Sequence, residues 1–396
     1  MNVNNEPTLS FIAEWFDSDP QVTKKYLLKY YPSTQEVEMK GTSTRTKFLK
    51  RTKMDNQSLT KSDFYIGATI ILFSRDLKLV DYGDNYTREL LYSLSETSVV
   101  LLTPNASGQA GTIVKLIEEA DLTLVNMKTF RIEDDLIFET ASMLGLDQDD
   151  LKLHHSNKDD HSDNMNDEMN YCIAIEFRGE KCIERLLTTS SIIQQTILHK
   201  NNDKWTNILI AASDPEKVKL WKDLFITCKH PPTAVFNTRN NNDMMTTMNK
   251  SKHSSSLSCI IIKPHAIKAR MAGAIMNDIL QKKQYKISAM QIFHLDRIHA
   301  VEFYEAYKTA VKNFYTMVDE LCSGPILVLE VCCDVDEFRN NVAGPYDVEM
   351  AKSLYPDTIR AKFGKDRIQN AIHCTDLPEE SENELSYFFD ILYDAD

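Results

Sequence analysis

No CxxC pair occurs anywhere in the 396 residues, and no cysteine stands at zinc-ligand spacing with a histidine. The eight cysteines therefore read as reduced thiols of a cytosolic compartment rather than a disulfide framework or a zinc site. A long apolar run is also missing. The strongest one, IGATIILF at 66–73, is far short of the roughly 20 residues that cross a bilayer. The opening MNVNNEPTLS is polar and lacks the apolar stretch of a secretory signal. These absences lead to the expectation of a soluble protein without a membrane partner. Excess positive charge is absent too. A formal net charge of −13 argues against a general nucleic-acid binder, while leaving room for a local basic face. There is no glycine-rich P-loop, so any phosphate would have to be cradled by side chains.

Composition divides what is there into three regions. Residues 8–91 are rich in Tyr, Phe, Leu and Thr, with short alternating stretches at 25–32 (KYLLKYYP), 36–41 (EVEMKG) and 69–84 (TIILFSRDLKLVDYGD). Period-two patterning broken by Pro, Gly and Asp predicts an antiparallel β module. Residues 98–236 and 257–392 each begin with a strand, turn at a proline and run into a helix. HHSNKDDHSDNMNDEMN at 154–170 is too polar to pack and reads as a solvated insertion, its histidines included; 237–256 reads as a flexible linker.

The last two regions are copies of one unit. VVLLTPNASGQAGTIVKLIEEADLTLVNMKTF at 99–130 aligns with CIIIKPHAIKARMAGAIMNDILQKKQYKISAMQIF at 259–293, and TNILIAASD at 206–214 aligns with QNAIHCTD at 369–376. Strand, proline, Ala-Gly helix and second strand recur in register, and each copy ends in an aromatic helix.

Only the second copy carries chemistry. A neutral imidazole is a good phosphorus nucleophile near pH 7, and His373 has the surroundings that phosphoryl transfer requires. Arg339 and Arg360 offer guanidinium forks for phosphate, Lys263 stands at a strand end, and Asn370 is spaced to face the same pocket. Glu384, on the following helix, can hold the far ring nitrogen and set the tautomer. Cys374 adjoins His373, but adjacent side chains on an extended segment point opposite ways, so the two are not read as a catalytic pair. In the first copy, Thr103 stands for Lys263, and Ile210 or Ala211 for His373. That copy reads as a scaffold that kept its core and lost its site.

Taken in order, the strand with KPHA, the SGP turn at 323–325, TIR at 358–360 and N-x-x-H-x-T-D at 370–376 resemble the nucleoside diphosphate kinase family. FIAEWFD at 11–17, FLKRTK at 48–53 and LVDYGDNYT at 79–87 are similar to the DM-ten axonemal module, so nearly the whole chain resembles the branch in which that module precedes two kinase-like units. The resemblance implies an α+β architecture: an N-terminal β-rich, PH-like module followed by two ferredoxin-like α/β sandwiches. It implies ping-pong transfer of a γ-phosphate through phosphohistidine at His373, oriented by Glu384. Lys263 and Tyr304 would contact phosphate and hydroxyl groups, Arg339 and Arg360 the phosphates, Asn370 the ribose, and Thr375 would hydrogen-bond near the nucleophile. The base platform falls at Asn313 or Phe314, with Phe314 taken for that role. The family's phosphate-binding threonine falls around Tyr346. Mg²⁺ would come with the NTP or NDP, with no protein metal site.

Two functions follow from the resemblance. The leading one is a structural component of ciliary doublet microtubules, a microtubule inner protein in contact with tubulin and axonemal neighbours. Its compartments would be cytoplasm, cytoskeleton and axoneme, with the centrosome or basal body in addition. The alternative is an active nucleoside diphosphate kinase, its two units packed as an intramolecular pseudo-dimer. RTKFLKRTK at 45–53 sets five basic residues against an acidic whole. Such a run is usually a solvated strand face, and its alternative is a dock for an acidic polymer such as tubulin. Nucleic acid is not an expected partner, and no nuclease motif is recognisable.

Overall fold

In a computed structural model, the structure describes residues 8–17, 21–42, 46–55, 59, 63–92, 96–132, 137–146, 148–151, 171–200, 207–227, 235–236, 257–282 and 285–392. The insertion read at 154–170 and the linker at 237–256 lie outside them. Contacts divide the chain into two units, Met1–Glu96 and Thr97–Asp396.

The first unit is an antiparallel sheet of β1 (Leu9–Asp17), β2 (Val22–Tyr31), β3 (Glu36–Gly41), β4 (Lys47–Lys53), β5 (Thr69–Leu72) and β6 (Arg75–Tyr82), in the order β4-β3-β2-β1-β6-β5. Alternation builds it. Leu9, Phe11 and Ala13 on β1, Tyr26, Leu28 and Tyr30 on β2, and Leu77 and Leu79 on β6 turn one face into a buried core. Tyr30 stacks on Phe64 there at 4.1 Å between centroids. The stretch 69–84 folds back on itself at Phe73 and Ser74, both at positive φ. A two-residue hairpin loop needs that conformation, but Asn-Gly rather than Phe-Ser is its usual signal, so the sequence hid the turn. Edge strand β4 exposes nearly every side chain.

The second unit contains β7 (Thr97–Leu102), β8 (Thr123–Ile132), β9 (Cys172–Arg178), β10 (Leu209–Ala211), β11 (Val235–Phe236), β12 (Leu257–Ile262), β13 (Lys286–Phe293), β14 (Ile326–Cys332) and β15 (Ile372–Cys374). Their order is β10-β7-β9-β8-β13-β14-β12-β15, with β11 on the flank of β8. Within each copy the order is fourth, first, third, second, which is the ferredoxin-like βαββαβ arrangement. The fold is α+β. Among the described residues no helix is long and apolar enough to cross a membrane.

One sheet runs through both copies. β8 meets β13 at the pair Lys128–Gln291, and the Thr129 hydroxyl accepts from the Met290 amide at 3.2 Å. Behind the sheet, helix Ala110–Glu119 crosses helix Ala272–Asn277 at backbone contact. A Cβ on Gly273 would stand 2.1 Å from the Lys115 nitrogen, and one on Gly111 2.5 Å from the Asn277 nitrogen. Only glycine admits that approach, which gives the repeated Ala-Gly a purpose that alignment alone did not show. Ile113, Val114 and Ile117 then share a core with Ile275, Met276 and Ile279.

Glu118 lies buried at this crossing, its Oε2 accepting from the Gly273 amide at 2.9 Å. Burial pushes its carboxyl up to about 7, although the amides of Gly273 and Ala272 pull the other way. A carboxyl whose folded pKa exceeds its unfolded 4.5 binds more protons when folded, so this group withdraws stability as pH rises from about 4.5 through 7. Glu118→Gln keeps an acceptor for Gly273 and removes the ionisation. It is expected to stabilise the protein at pH 8 by roughly 2–3 kcal/mol and to do almost nothing at pH 4.5. Urea melts at the two pH values check this, and an equal effect at both would contradict it.

Candidate active site

Pro264 sets the site's first member. The residue before a proline is pushed out of the α region, so Lys263 stays extended (φ −74°, ψ 156°) at the end of β12, and helix Pro264–Lys268 starts after it. Its amine is carried inward, only 3% of the residue remaining exposed. The Nζ donates to the Asn370 Oδ1 at 2.6 Å and to the Ile368 carbonyl at 3.0 Å, both neutral oxygens. Burial, with Arg360 nearby, brings the Lys263 pKa down to about 7.

β15 pairs with β12 antiparallel, Ile261 opposite His373. Two backbone bonds close the pairing at its ends, Lys263 N to Ala371 O and Thr375 N to Cys259 O, both 3.0 Å. His373 is 8% exposed, and its Nε2 lies 3.0 Å from the Glu384 Oε1. The other Glu384 oxygen accepts from the Thr375 hydroxyl at 2.7 Å, and that hydroxyl accepts from the Cys259 amide at 2.9 Å. Sheet backbone thus orients Thr375, Thr375 orients Glu384, and Glu384 orients the ring. With Nε2–H donated to a carboxylate, Nδ1 keeps the lone pair and is the ring nitrogen left available for nucleophilic chemistry.

Three aromatic rings wall the imidazole edge-on: Phe303 at 5.3 Å, Tyr304 at 5.9 Å and Tyr307 at 6.2 Å. Phe303 and Tyr307 were missed from the sequence, although their i,i+4 spacing about Tyr304 was a usable signal. Burial raises the pKa of Tyr304, with Tyr346, Glu384 and Glu320 adding to the rise and Arg360 opposing it. Its hydroxyl stays a neutral donor. Tyr307 donates to Asp376 at 2.7 Å.

Arg360, on helix Ile359–Phe363, is buried against the same strand. It donates to the Gly344 carbonyl at 2.7 Å, to the Ile372 carbonyl at 3.4 Å and to the Cys374 sulfur at 3.8 Å. Among the described residues no carboxylate pairs with it, and Glu320 and Asp366 are the acidic groups that act on the neighbouring Lys263 amine. Arg339 reaches the segment from the far side, donating to the Asp376 carbonyl and to Asp336.

Phe314 is 4% exposed and packs with Met317, Val318 and Leu321 in the buried cluster that also holds Tyr304. The i, i+3, i+4, i+7 spacing turns these side chains to one face of their helix. Asn313, just before the helix, is exposed. Tyr346 is exposed, and its carbonyl accepts from the Asn370 side chain at 3.5 Å.

The first copy keeps the frame without the groups. β10 pairs with β7 so that Ile210 faces Leu101, the register that sets His373 opposite Ile261. Ile210, not Ala211, is therefore the histidine's counterpart. The Thr103 amide donates to the Ile208 carbonyl at 3.1 Å. The cavity of about 360 Å³ beside β10 is lined by leucines, amides and hydroxyls, with no titratable group. Among the described residues, no group of three or more His, Cys, Asp or Glu could hold a metal ion.

With this geometry in hand, likeness to known proteins is specific. Residues 257–392 match the family model for nucleoside diphosphate kinase. The chain is 33% identical over 408 residues to nucleoside diphosphate kinase homolog 7 of Mus musculus, covering 98% of this chain and 94% of that protein. The Rattus norvegicus homolog 7 is 34% identical over the same span. The nucleoside diphosphate kinase of Aquifex aeolicus is 34% identical over 132 residues, 33% of this chain and 91% of its own length. A crystal structure of an Aquifex aeolicus nucleoside diphosphate kinase superposes with a TM-score of 0.33 at 30% identity, over 35% of this chain and 97% of that one.

Thr375 is the joint of the hydrogen-bond chain. Thr375→Val is expected to cost about 2–3 kcal/mol, because it removes the hydroxyl that accepts from the buried Cys259 amide and one of the two donors to the Glu384 carboxylate. Thr375→Ser, which keeps the hydroxyl, should cost less than about 1 kcal/mol. Urea denaturation of both checks this, and equal losses would assign the effect to the methyl group.

Proposed function

The chain belongs to the nucleoside diphosphate kinase homolog 7 family, and from that premise we propose that its second copy passes a phosphoryl group between nucleotides through His373. One observation carries the reading: the unbroken chain from β12 backbone through Thr375 and Glu384 to the His373 Nε2. It fixes the tautomer that leaves Nδ1 free to attack the γ-phosphorus of a nucleoside triphosphate. The P–Nδ1 bond forms as the bond to the bridging oxygen breaks, and a diphosphate leaves. Positive charge developing on the ring is met at Nε2–H by Glu384. A terminal oxygen of an acceptor diphosphate then takes the group from Nδ1, and the ring returns to its starting tautomer.

Lys263 and Arg360 supply the positive field for the phosphates, and a phosphate beside Lys263 restores the charge that burial disfavours. Asn370, already bonded to Lys263, is placed for the sugar hydroxyls. Mg²⁺ enters with the nucleotide and shields its phosphate charge. The sheet and core shared by the two copies support reading them as an intramolecular dimer in which the first is scaffold.

A second reading concerns place. The sequence ranks it first; the completeness of the His373 site moves catalysis ahead. β4 is an edge strand whose Lys47, Lys50, Arg51 and Lys53 are exposed, Arg51 bonding Glu36 at 2.6 Å. A basic, solvent-facing edge suits an acidic polymer. We propose that this module docks on tubulin in ciliary doublet microtubules, among other axonemal proteins, with cytoplasm and the centrosome or basal body as further locations.

Purified protein given γ-labelled ATP and Mg²⁺ should take up acid-labile, base-stable label, absent from His373→Ala and at least roughly tenfold slower to appear in Glu384→Gln. No label on the wild type ends the catalytic reading. For docking, the full chain should sediment with microtubules at low salt, and a Lys47→Glu, Lys50→Glu, Lys53→Glu triple variant should not. If the triple variant sediments like the wild type, the β4 dock is wrong.

A further inference from the structure

Two residues before His373 the backbone does something costly. Ala371 has φ of 72°, and the Ile372 amide bonds the Asn370 carbonyl at 3.0 Å across it. This is a γ-turn with positive φ, a rare and strained conformation for a residue with a Cβ. Such a turn persists only where its surroundings over-determine it. One restraint is the Ala371 carbonyl, which accepts from the Lys263 amide. The other is a buried side chain that the proposed chemistry leaves unused.

His265 follows Pro264 and is 5% exposed; Glu320, on the helix Phe314–Leu321, is 7% exposed. The His265 Nε2 lies 3.2 Å from the Ala371 amide, and its Nδ1 lies 2.7 Å from the Glu320 Oε1. An amide can only donate, so Nε2 must present its lone pair and the proton sits on Nδ1, donated to Glu320. The ring is thus held as the neutral tautomer that accepts from Ala371. Glu320 also accepts from the His265 amide at 3.2 Å and, through its other oxygen, from the Gln369 side chain at 3.2 Å. Burial pushes the Glu320 carboxyl up, yet the bonds from His265 and Gln369 outweigh it and leave the group below its ordinary pKa. The carboxylate therefore ties both sides of the turn to one helix.

Burying an imidazole and a carboxylate together is an expensive way to stabilise a fold. Here the pair ends on one amide, in the turn that sets Asn370 on one side and His373 on the other. We propose that His265 is a positioning residue for phosphoryl transfer: with Glu320 it clamps the Ala371 γ-turn and so fixes where the His373 Nδ1 points. This rests on the phosphotransfer reading given above.

The test needs the clamp's chemistry separated from its bulk. Glutamine offers a donor for Glu320 and an acceptor for the Ala371 amide in one side chain; leucine fills similar space with neither. In single-turnover labelling with ATP and Mg²⁺, His265→Leu should form phosphohistidine at least roughly tenfold more slowly, since small misplacements of a reacting atom are costly. His265→Gln should recover most of the rate. Hydrogen exchange followed by mass spectrometry should show residues 369–375 exchanging faster in His265→Leu than in the wild type or His265→Gln, with other strands unchanged. A wild-type rate in His265→Leu, or a glutamine variant as slow as leucine, overturns the clamp. If the wild type takes no label, the phosphotransfer reading is what fails. The clamp is then judged by exchange, and unchanged protection of 369–375 in His265→Leu overturns it.

Discussion

Three residues of antiparallel pairing hold the second copy's site together. Ile260, Ile261 and Ile262 on β12 face Cys374, His373 and Ile372 on β15, and almost every polar group near the nucleophile hangs from that short ladder. Lys263 leaves one end of it and Thr375 the other, and Arg360 bonds the Ile372 carbonyl at the Lys263 end. A ladder this short at a sheet edge would be weak alone. It is held by the bonds at both ends and by a buried core on each face.

The first copy shows how little the frame depends on chemistry. The ladder recurs with Ile210 opposite Leu101, and the strand-end residue bonds the neighbouring strand through its backbone as Lys263 does. Hydrophobic burial and sheet pairing are indifferent to the loss of an imidazole or an amine. The buried cations of the second copy are a different matter. Lys263 and Arg360 sit near each other with neutral hydrogen-bond acceptors, and Glu320 and Asp366 offset part of their mutual repulsion.

Joining the copies through one sheet has a further consequence. Gly111 and Gly273 bring two helices to backbone contact, and Glu118 is trapped between them. The first copy is therefore not a detachable appendage. It buries one face of the second copy's helices and extends its sheet, so substitutions at this crossing act on a core common to both.

Much of this was legible in the residues because the signals are local. Alternation marked the strands of the first unit, the proline and Ala-Gly helix marked the repeat, and the N-x-x-H-x-T-D order singled out His373 with Glu384 and Thr375. Other features were not legible. That Phe314 shares a buried cluster with Tyr304 shows only once its helix is packed. The choice between Ile210 and Ala211 required the strand register. The glycines gained their meaning only once another helix lay against them. His265 looked like part of a motif, and its role depends on an amide 106 residues away. Spacing along a chain determines which side chains share a face. Which of them meet across the core depends on segments as far apart as Cys259 and Thr375, 116 residues in sequence and 2.9 Å in space. Only folding brings a donor to an acceptor over that separation, and so only the tertiary structure decides which nitrogen of His373 is held and which is left to react.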